Sequence, residues 1–335
     1  MMNVQKSKYG LTSVRLAGLG LAAVISLGGV ARGATVFQDN FNNGVVADSS
    51  GVPATGTGFW DNVVNTPTES GGLLNLTATV ATAGKTPQTW LARHPKTDGT
   101  FNFFNNQETY TVQFGPAPAI TGTTTVNSVD TTYANIFNLA VLTADVIHPT
   151  WGMSPWYADD ALNLTLAQNG TVILQRKINH SENTAPANLT NLISVNIGSN
   201  LAAAMTGVSL TLNATSYDLQ IFVPVGTGIA SDGVINSSDT SYGTLHGALG
   251  INESDWGNTY NGITKTYASD GNGNSGVFLG VQRAFGNPGG SNPDPVGSYT
   301  TATVDSLTVS TIPEPASLAL LGLGSLLIFA PRRRA

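Results

Sequence analysis

The chain of 335 residues contains no cysteine. That excludes disulfide staples, thiolate metal sites, cysteine nucleophiles and thiol redox chemistry. Charge is scarce too, with charged residues at 10% of the chain and 14 Lys and Arg against 20 Asp and Glu. Hardly a segment has the Ala, Glu, Lys and Leu mixture that favours helix. No G-x-S-x-G elbow, H-E-x-x-H pair or phosphate-binding glycine loop occurs. What the chain has in quantity is Gly, Asn, Thr, Ser, Val and Leu, in short β-prone runs between Gly, Asn, Asp and Pro clusters.

Long apolar runs occur at the two ends. Lys6, Lys8 and Arg15 precede Leu16 to Val30, and Ala31-Arg32-Gly33 puts small residues where a signal peptidase wants them, so residues 1–33 read as a secretory signal peptide cut before Ala34. At the other end Ile312-Pro313-Glu314-Pro315 is followed by an uncharged run from Ala316 to Ala330 and then Arg332, Arg333 and Arg334. Fifteen residues make a helix of about 22 Å, short of a hydrocarbon core of roughly 30 Å. Three arginines would hold its end on the cytoplasmic side and leave everything before Pro313 outside. The chain then divides into a signal peptide at 1–33, a body at 34–311 and a sorting or anchor segment at 312–335. Seven of the fourteen basic residues but only one of the twenty acids lie in the terminal segments. The body is left with seven basic and nineteen acidic residues, a formal charge of −12. Such a surface repels DNA and anionic lipid and attracts divalent cations; no nucleic-acid partner is expected, and membrane contact only through the terminal segments.

The final 24 residues resemble the PEP-CTERM sorting signal, through Pro313, Glu314 and Pro315, the Gly-containing apolar stretch Leu318 to Phe329, and Arg332 to Arg334. Ile312 stands where Val is more usual. The resemblance implies a membrane-embedded exosortase-type protease as partner, and a cell-surface or extracellular-matrix location after transient anchoring in the inner membrane. The alternative reading is an ordinary C-terminal membrane anchor.

The body reads as all-β. Strands are expected near Thr35 to Phe41, Leu73 to Val80, Thr89 to Arg93, Glu108 to Phe114, Asn135 to Ile147, Ala161 to Ala167, Thr171 to Ile178, Leu192 to Ile197, Val208 to Leu212, Tyr217 to Val223, Gly276 to Ala284 and Thr301 to Ser310. The clearest unit joins Leu162-Asn163-Leu164-Thr165-Leu166 to Val172-Ile173-Leu174 through Gln168-Asn169-Gly170, because Asn and Gly both tolerate positive φ in a hairpin turn. Asn200 to Thr206 is the one helical competitor, one or two turns between strands. A dozen short strands in a body large enough for a core without disulfides predict a two-sheet antiparallel β-sandwich of jelly-roll type, in one domain.

The opening Val36-Phe37-Gln38-Asp39-Asn40-Phe41 and closing Val304-Asp305-Ser306-Leu307-Thr308-Val309 are similar to the first and last strands of concanavalin A-like lectin and glucanase sandwiches; Ser216 to Ile221 resembles a mid-sheet strand of that fold. The resemblance implies paired terminal strands and suggests a structural calcium near Asp39 and Asp305. Retaining glucanases of that type carry clustered carboxylates, because nucleophile and acid flank the glycosidic bond roughly 5 Å apart. Here only Glu253 and Asp255 have strand spacing, in a polar stretch that reads as a solvated loop. The four histidines, His94, His148, His180 and His246, are isolated in sequence. No catalytic residue is assigned and no enzyme is expected; a glycoside hydrolase or lyase is the alternative.

Two stretches offer binding chemistry. Trp151, Trp156, Tyr157, Asp159 and Asp160 share one Gly- and Pro-broken loop. Aromatic faces stack on sugar CH groups while carboxylates accept hydroxyl hydrogen bonds, which suits carbohydrate; the same rings would otherwise fill the core or plug its end. Asp270, Asn272 and Asn274 set oxygen-bearing side chains at alternate positions of a Gly loop that can supply several of the six to eight oxygens calcium takes; it resembles the start of an EF-hand loop but lacks Gly at the sixth position and has Val281 at the twelfth, and a plain turn has the same composition. Asp232, Asn236 and Asp239 are a lesser candidate of the same kind. The expectation is an exported carbohydrate-binding or structural component of an exopolysaccharide matrix, with calcium the one cofactor for which ligands are offered.

Overall fold

Twelve strands of six residues or more carry the fold seen in a computed structural model, and they fall at the twelve expected places. They are β1 (Ala34–Asp39), β2 (Leu73–Thr79), β3 (Gln88–Arg93), β4 (Gln107–Phe114), β5 (Asn135–Leu142), β6 (Ala161–Ala167), β7 (Thr171–Lys177), β8 (Leu189–Asn196), β9 (Gly207–Leu212), β10 (Ser216–Phe222), β11 (Gly276–Arg283) and β12 (Tyr299–Ile312). The structure describes residues 34–48, 51–52, 59–60, 62–82, 86–93, 101–126, 128–142, 147–148, 152–153, 161–177, 189–226, 231–251, 259–260, 263–264, 275–283 and 294–312. By internal contacts the chain divides into Met1–Ala34 and Thr35–Ala335; the second unit holds the fold. Both expected terminal helices lie outside the described residues, among which no helix is long and apolar enough to cross a membrane.

Two large antiparallel sheets form. One runs β10-β9-β4-β12-β1, with β2 also on β12 and short strands at its margins. The other runs β8-β7-β6-β5-β11-β3 and ends on Asn62–Val64. The first and last long strands are neighbours, as the resemblance of their sequences implied. Ser216–Phe222 is less central than expected, with β9 on one side and only the short strands Val234–Ile235 and His246–Ala248 on the other. The six-residue helix Ser199–Ala204 carries the chain from β8 in one sheet to β9 in the other.

Period-two alternation explains the packing. In β4, Glu108, Tyr110, Val112 and Phe114 are buried while the residues between them are partly exposed. These side chains meet Leu139, Leu164 and Leu279 of the opposite sheet in one continuous core. Each large apolar side chain buried there is worth about 1.5–3 kcal/mol. In β12 the alternation changes phase, from Ala302 and Val304 to Leu307 and Val309, and the register slips between Val304 and Ser306. This bulge lets one strand serve β2 with its first half and β4 with its second while keeping an apolar face inward.

The β6–β7 hairpin forms as expected, with Leu166 opposite Val172. Gly170 takes φ +91°, and Asn169 caps the turn by accepting from the Thr171 N–H at 3.0 Å rather than by adopting positive φ itself. β5 stops at Leu142 rather than Ile147, where its partners Ala161 and Gly276 also end; Ile147–His148 makes a separate ladder with Gly152–Met153. One buried charge is fully paired. Arg283 donates to both Asp294 oxygens at 2.8 and 2.9 Å, to the Thr123 carbonyl at 2.7 Å, to Asn135 Oδ1 at 2.6 Å and to Thr131 Oγ1 at 2.8 Å. All five guanidinium N–H groups are thereby used, which makes the cluster structural.

Candidate functional site

The two sheets differ on their outer faces. That of the β10-β9-β4-β12 sheet is half-exposed and set with hydroxyls, such as Thr109 paired with Thr211 and Thr111 with Ser209. That of the β8-β7-β6-β5-β11-β3 sheet is buried at its centre, where β6 is buried at all seven positions, and opens at the β8 edge, where Asn191 and Ser194 are exposed. Register puts its side chains in rows. One row runs Ala92, Phe278, Ala140, Asn163, Gln175 and Asn191, and the next runs Trp90, Gly280, Asn138, Thr165 and Ile173. The β3 and β11 end is therefore apolar and aromatic, and the β6 and β7 end is built of amides and hydroxyls.

Gly280 is what allows the aromatic end to close. A Cβ there would lie 2.6 Å from Trp90 Cβ and 2.9 Å from the Phe278 ring, whose centroid is 5.3 Å from that of Trp90. At the polar end Asn163 Nδ2 donates to Thr165 Oγ1 at 3.3 Å, Thr165 Oγ1 donates to Asn138 Oδ1 at 2.9 Å, and Gln175 Nε2 donates to Asn191 Oδ1 at 3.0 Å. Three polar atoms of this face are left with no hydrogen-bond partner: Trp90 Nε1, Asn163 Oδ1 and Gln175 Oε1. An unpaired buried polar group costs about 1–3 kcal/mol, and natural structures hold few of them. Three on one face make it the candidate site. Lys177, opposite Ala161 on the same face, is buried, and loss of hydration pulls its pKa down to about 7. Its amine can thus be neutral near neutrality. Among the described residues the strands of this face contribute no carboxylate.

Alternation hid this face. Leu162-Asn163-Leu164-Thr165-Leu166 has the pattern of a strand with one side in water, whereas Asn163 and Thr165 are as buried as the leucines. The available signal was the run of uncharged amides and hydroxyls at alternate positions, since water-facing strands normally carry charge as well.

A second polar cluster lies between the sheets. Glu108 accepts from the Asn102 N–H and from the Tyr110 hydroxyl, pinning the loop in which Asn102 Oδ1 accepts from the N–H groups of Phe104 and Asn105. Burial pushes the Glu108 carboxyl up to about 7. Nearby, the Arg93 guanidinium sits 5.0 Å from the Phe59 ring centre and 4.8 Å from that of Phe101. This cluster is enclosed in core and organises the fold.

The residues singled out from sequence fare unequally. Trp151, Trp156, Tyr157, Asp159 and Asp160 lie outside the described residues, as do Asp270, Asn272 and Asn274, the pair Glu253 and Asp255, and the sorting residues Pro313, Glu314, Pro315, Arg332, Arg333 and Arg334. The Asp39 carboxylate is occupied by protein, accepting from the Phe41 N–H at 3.0 Å and from Trp60 Nε1 at 2.8 Å, while Asp305 is exposed. Asp232, Asn236 and Asp239 close their own turns, each accepting from a backbone N–H two or three residues away. Among the described residues no three acids or histidines come together to hold a metal. His246 is exposed opposite Asp218, beside a groove of about 490 Å³ that Ser216 and Ser237 also line.

Fold and site together define a two-sheet antiparallel β-sandwich with a buried amide-and-aromatic outer face. Residues 311–334 match the PEP-CTERM protein-sorting motif. That motif implies processing by exosortase, a membrane protein, and so export with membrane-associated sorting. No curated protein matches the sequence. Among solved structures, the laminarinase from Flavobacterium sp. UMI-01 is similar at 12% identity over 82% of this chain and 99% of its own, with a TM-score of 0.40. The endo-1,3-β-glucanase (laminarinase) catalytic domain from Thermotoga petrophila RKU-1 is similar at 11% identity over 84% and 98%, with a TM-score of 0.38. The endo-1,3-β-glucanase from Streptomyces sioyaensis is similar at 11% identity over 83% of this chain and 96% of its own, with a TM-score of 0.39.

Proposed function

We propose that this is an exosortase-sorted surface protein that binds carbohydrate of the extracellular polysaccharide matrix through the outer face of the β8-β7-β6-β5-β11-β3 sheet. The observation that supports the reading is the set of unpaired polar atoms there. The Trp90 indole N–H is a donor, and the Asn163 and Gln175 amide oxygens are acceptors. Sugar hydroxyls donate and accept, so an extended glycan crossing the strands, which lie about 4.8 Å apart, can reach all three, and its CH face suits the aromatic end. In sequence, Trp151, Trp156, Tyr157, Asp159 and Asp160 fall in the connection between β5 and β6, two strands of this sheet. A neutral-tending lysine and uncharged amides select a neutral glycan over a polyanion. Asn191 at the β8 edge of the face is exposed, so a glycan would enter from that edge.

The test compares retention on insoluble polysaccharide for the wild type, Asn163→Leu with Gln175→Leu, and Trp151→Ala with Trp156→Ala. Binding predicts a loss of retention of tenfold or more in both double variants. The leucine pair should melt near the wild-type temperature, because removal of two unpaired buried acceptors offsets the loss of the hydrogen bonds donated to Thr165 and Asn191. Retention unchanged in both would leave only a structural role. Release of reducing ends from the polysaccharide would favour the hydrolase alternative.

A further inference from the structure

The two sheets meet along a seam where β2 of one comes beside β3 of the other, and Thr89 Oγ1 there donates to the Thr77 carbonyl at 2.6 Å. A groove of about 400 Å³ opens on that seam, lined by Thr77, Thr79 and Thr89 and by the amide residues Asn65 and Gln88. Small-molecule sites typically span about 300–1,000 Å³. Register sets Tyr299, 43% exposed, directly across from Thr79, which brings an aromatic side chain to the rim. Among the described residues no charged side chain lines the groove. The Arg283 backbone N–H donates to the Pro87 carbonyl nearby, but its guanidinium is closed in the pair with Asp294. Lys85, in the connection from Thr82 to Pro87, lies outside the described residues.

Proton accounting says what such a groove takes. Thr301 Oγ1 gives its proton to the Leu76 carbonyl at 2.8 Å, so in its 2.9 Å contact with Thr77 Oγ1 the Thr77 hydroxyl is the donor. The Thr89 proton is on the Thr77 carbonyl. Both hydroxyls keep only lone pairs. Asn65 Nδ2 donates to the Gln88 carbonyl at 2.6 Å, which leaves its Oδ1 as a further acceptor. The turn that carries this amide has φ of +60° at Asn65 and +53° at Thr66, a conformation rare for a β-branched residue and of the kind that clusters at functional sites. Acceptors in this number repel carboxylate and sulfate and take hydroxyl donors. The Gln88 amide N–H and the Tyr299 ring suit acceptor oxygens and CH faces as well, which a polyol has and a bare amine lacks. We propose that this seam is a second carbohydrate site, for one or two rings of a neutral sugar, built from residues other than those of the outer face. Gln88 and Trp90 are two positions apart on β3, about 6.8 Å along the strand, so a single glycan chain can span both sites.

The seam site stands or falls apart from the outer face, and the experiment keeps the two distinguishable. Isothermal titration calorimetry is run on the full chain with cellotriose, maltotriose and trigalacturonate, first as wild type and then with Asn163→Leu and Gln175→Leu, which disable the outer face. In that double variant at least one neutral trisaccharide is expected still to bind. Adding Tyr299→Ala or Thr77→Val, both at exposed positions, is expected to weaken that binding at least fivefold with no change in melting temperature. Binding by the wild type but not by the double variant overturns the seam site and leaves the outer face, and no binding by either overturns both. Affinity unchanged by both Tyr299→Ala and Thr77→Val overturns the seam site as well. Trigalacturonate bound as tightly as the neutral sugars overturns the selectivity, and its loss on Lys85→Ala would assign that binding to the lysine.

Discussion

At the residue scale two buried ionisable groups pull the pH profile of stability in opposite directions. Glu108 has its pKa raised from 4.5 to about 7 by burial, against the lowering effect of the hydrogen bonds from Tyr110 and Asn102. The folded chain thus holds a proton that the unfolded chain releases between pH 4.5 and 7, and stability falls as pH rises through that window. A shift of this size corresponds to about 3 kcal/mol. Glu69, raised mainly by burial and then by Asp39, adds to the same limb. Lys177 behaves in the opposite sense. Its pKa falls from 10.5 to about 7, so the folded chain lacks a proton that the unfolded chain keeps, and stability rises as pH climbs from 7 toward 10.5. The thermal midpoint should therefore pass through a minimum near pH 7. Glu108→Gln should flatten the acidic limb and Lys177→Met the alkaline one, each leaving the other limb in place. A midpoint that peaks near neutrality in the wild type would contradict this.

At the element scale the β6–β7 turn shows how much one residue decides. Gly170 has φ +91°, and a Cβ on it would lie 2.5–2.6 Å from the backbone of Gly198. Gly226 has φ +87° with nothing within 4 Å. Gly226→Ala should cost only the left-handed conformation, about 1–2 kcal/mol, whereas Gly170→Ala should cost that plus displacement of the Gly198 turn, a total above about 2 kcal/mol. Urea unfolding of the two variants gives the difference directly, and equal losses would mean that the turn yields freely. The hairpin was legible from Asn169-Gly170 between alternating runs, and the β12 bulge can be read in the phase change from Val304 to Leu307. The marginal strands of two or three residues, such as Thr68–Ser70 and Val234–Ile235, could not be read, because so few residues carry no period. The candidate face was also illegible. Periodicity says that Asn163 and Thr165 point away from Leu162 and Leu164, but not whether water or protein meets them.

At the scale of the whole molecule, the strand that completes the fold is the last to leave the secretion channel. β12 lies between β4 and β1 and also pairs with β2 and Ile120–Gly122. Its partners lie up to about 270 residues earlier in the chain, so the central ladders of the larger sheet are strongly non-local. Such pairings repay their loop-closure cost late, which places folding of this type in the millisecond-to-second range. An exported chain emerging amino terminus first cannot finish this sheet until Ile312 is outside, and the sorting motif follows at once. The consequence for stability is direct. Residues 34–312 should unfold in one cooperative thermal transition, whereas residues 34–298, which keep eleven of the twelve long strands, should show none. Without β12, the inward-facing Tyr110, Val112, Leu74 and Leu76 lose Val304, Leu307 and Val309, and β4 and β2 become open edges. Circular dichroism melts of the two chains decide the matter. A cooperative transition in the shorter chain would show that the sandwich closes before its last strand arrives.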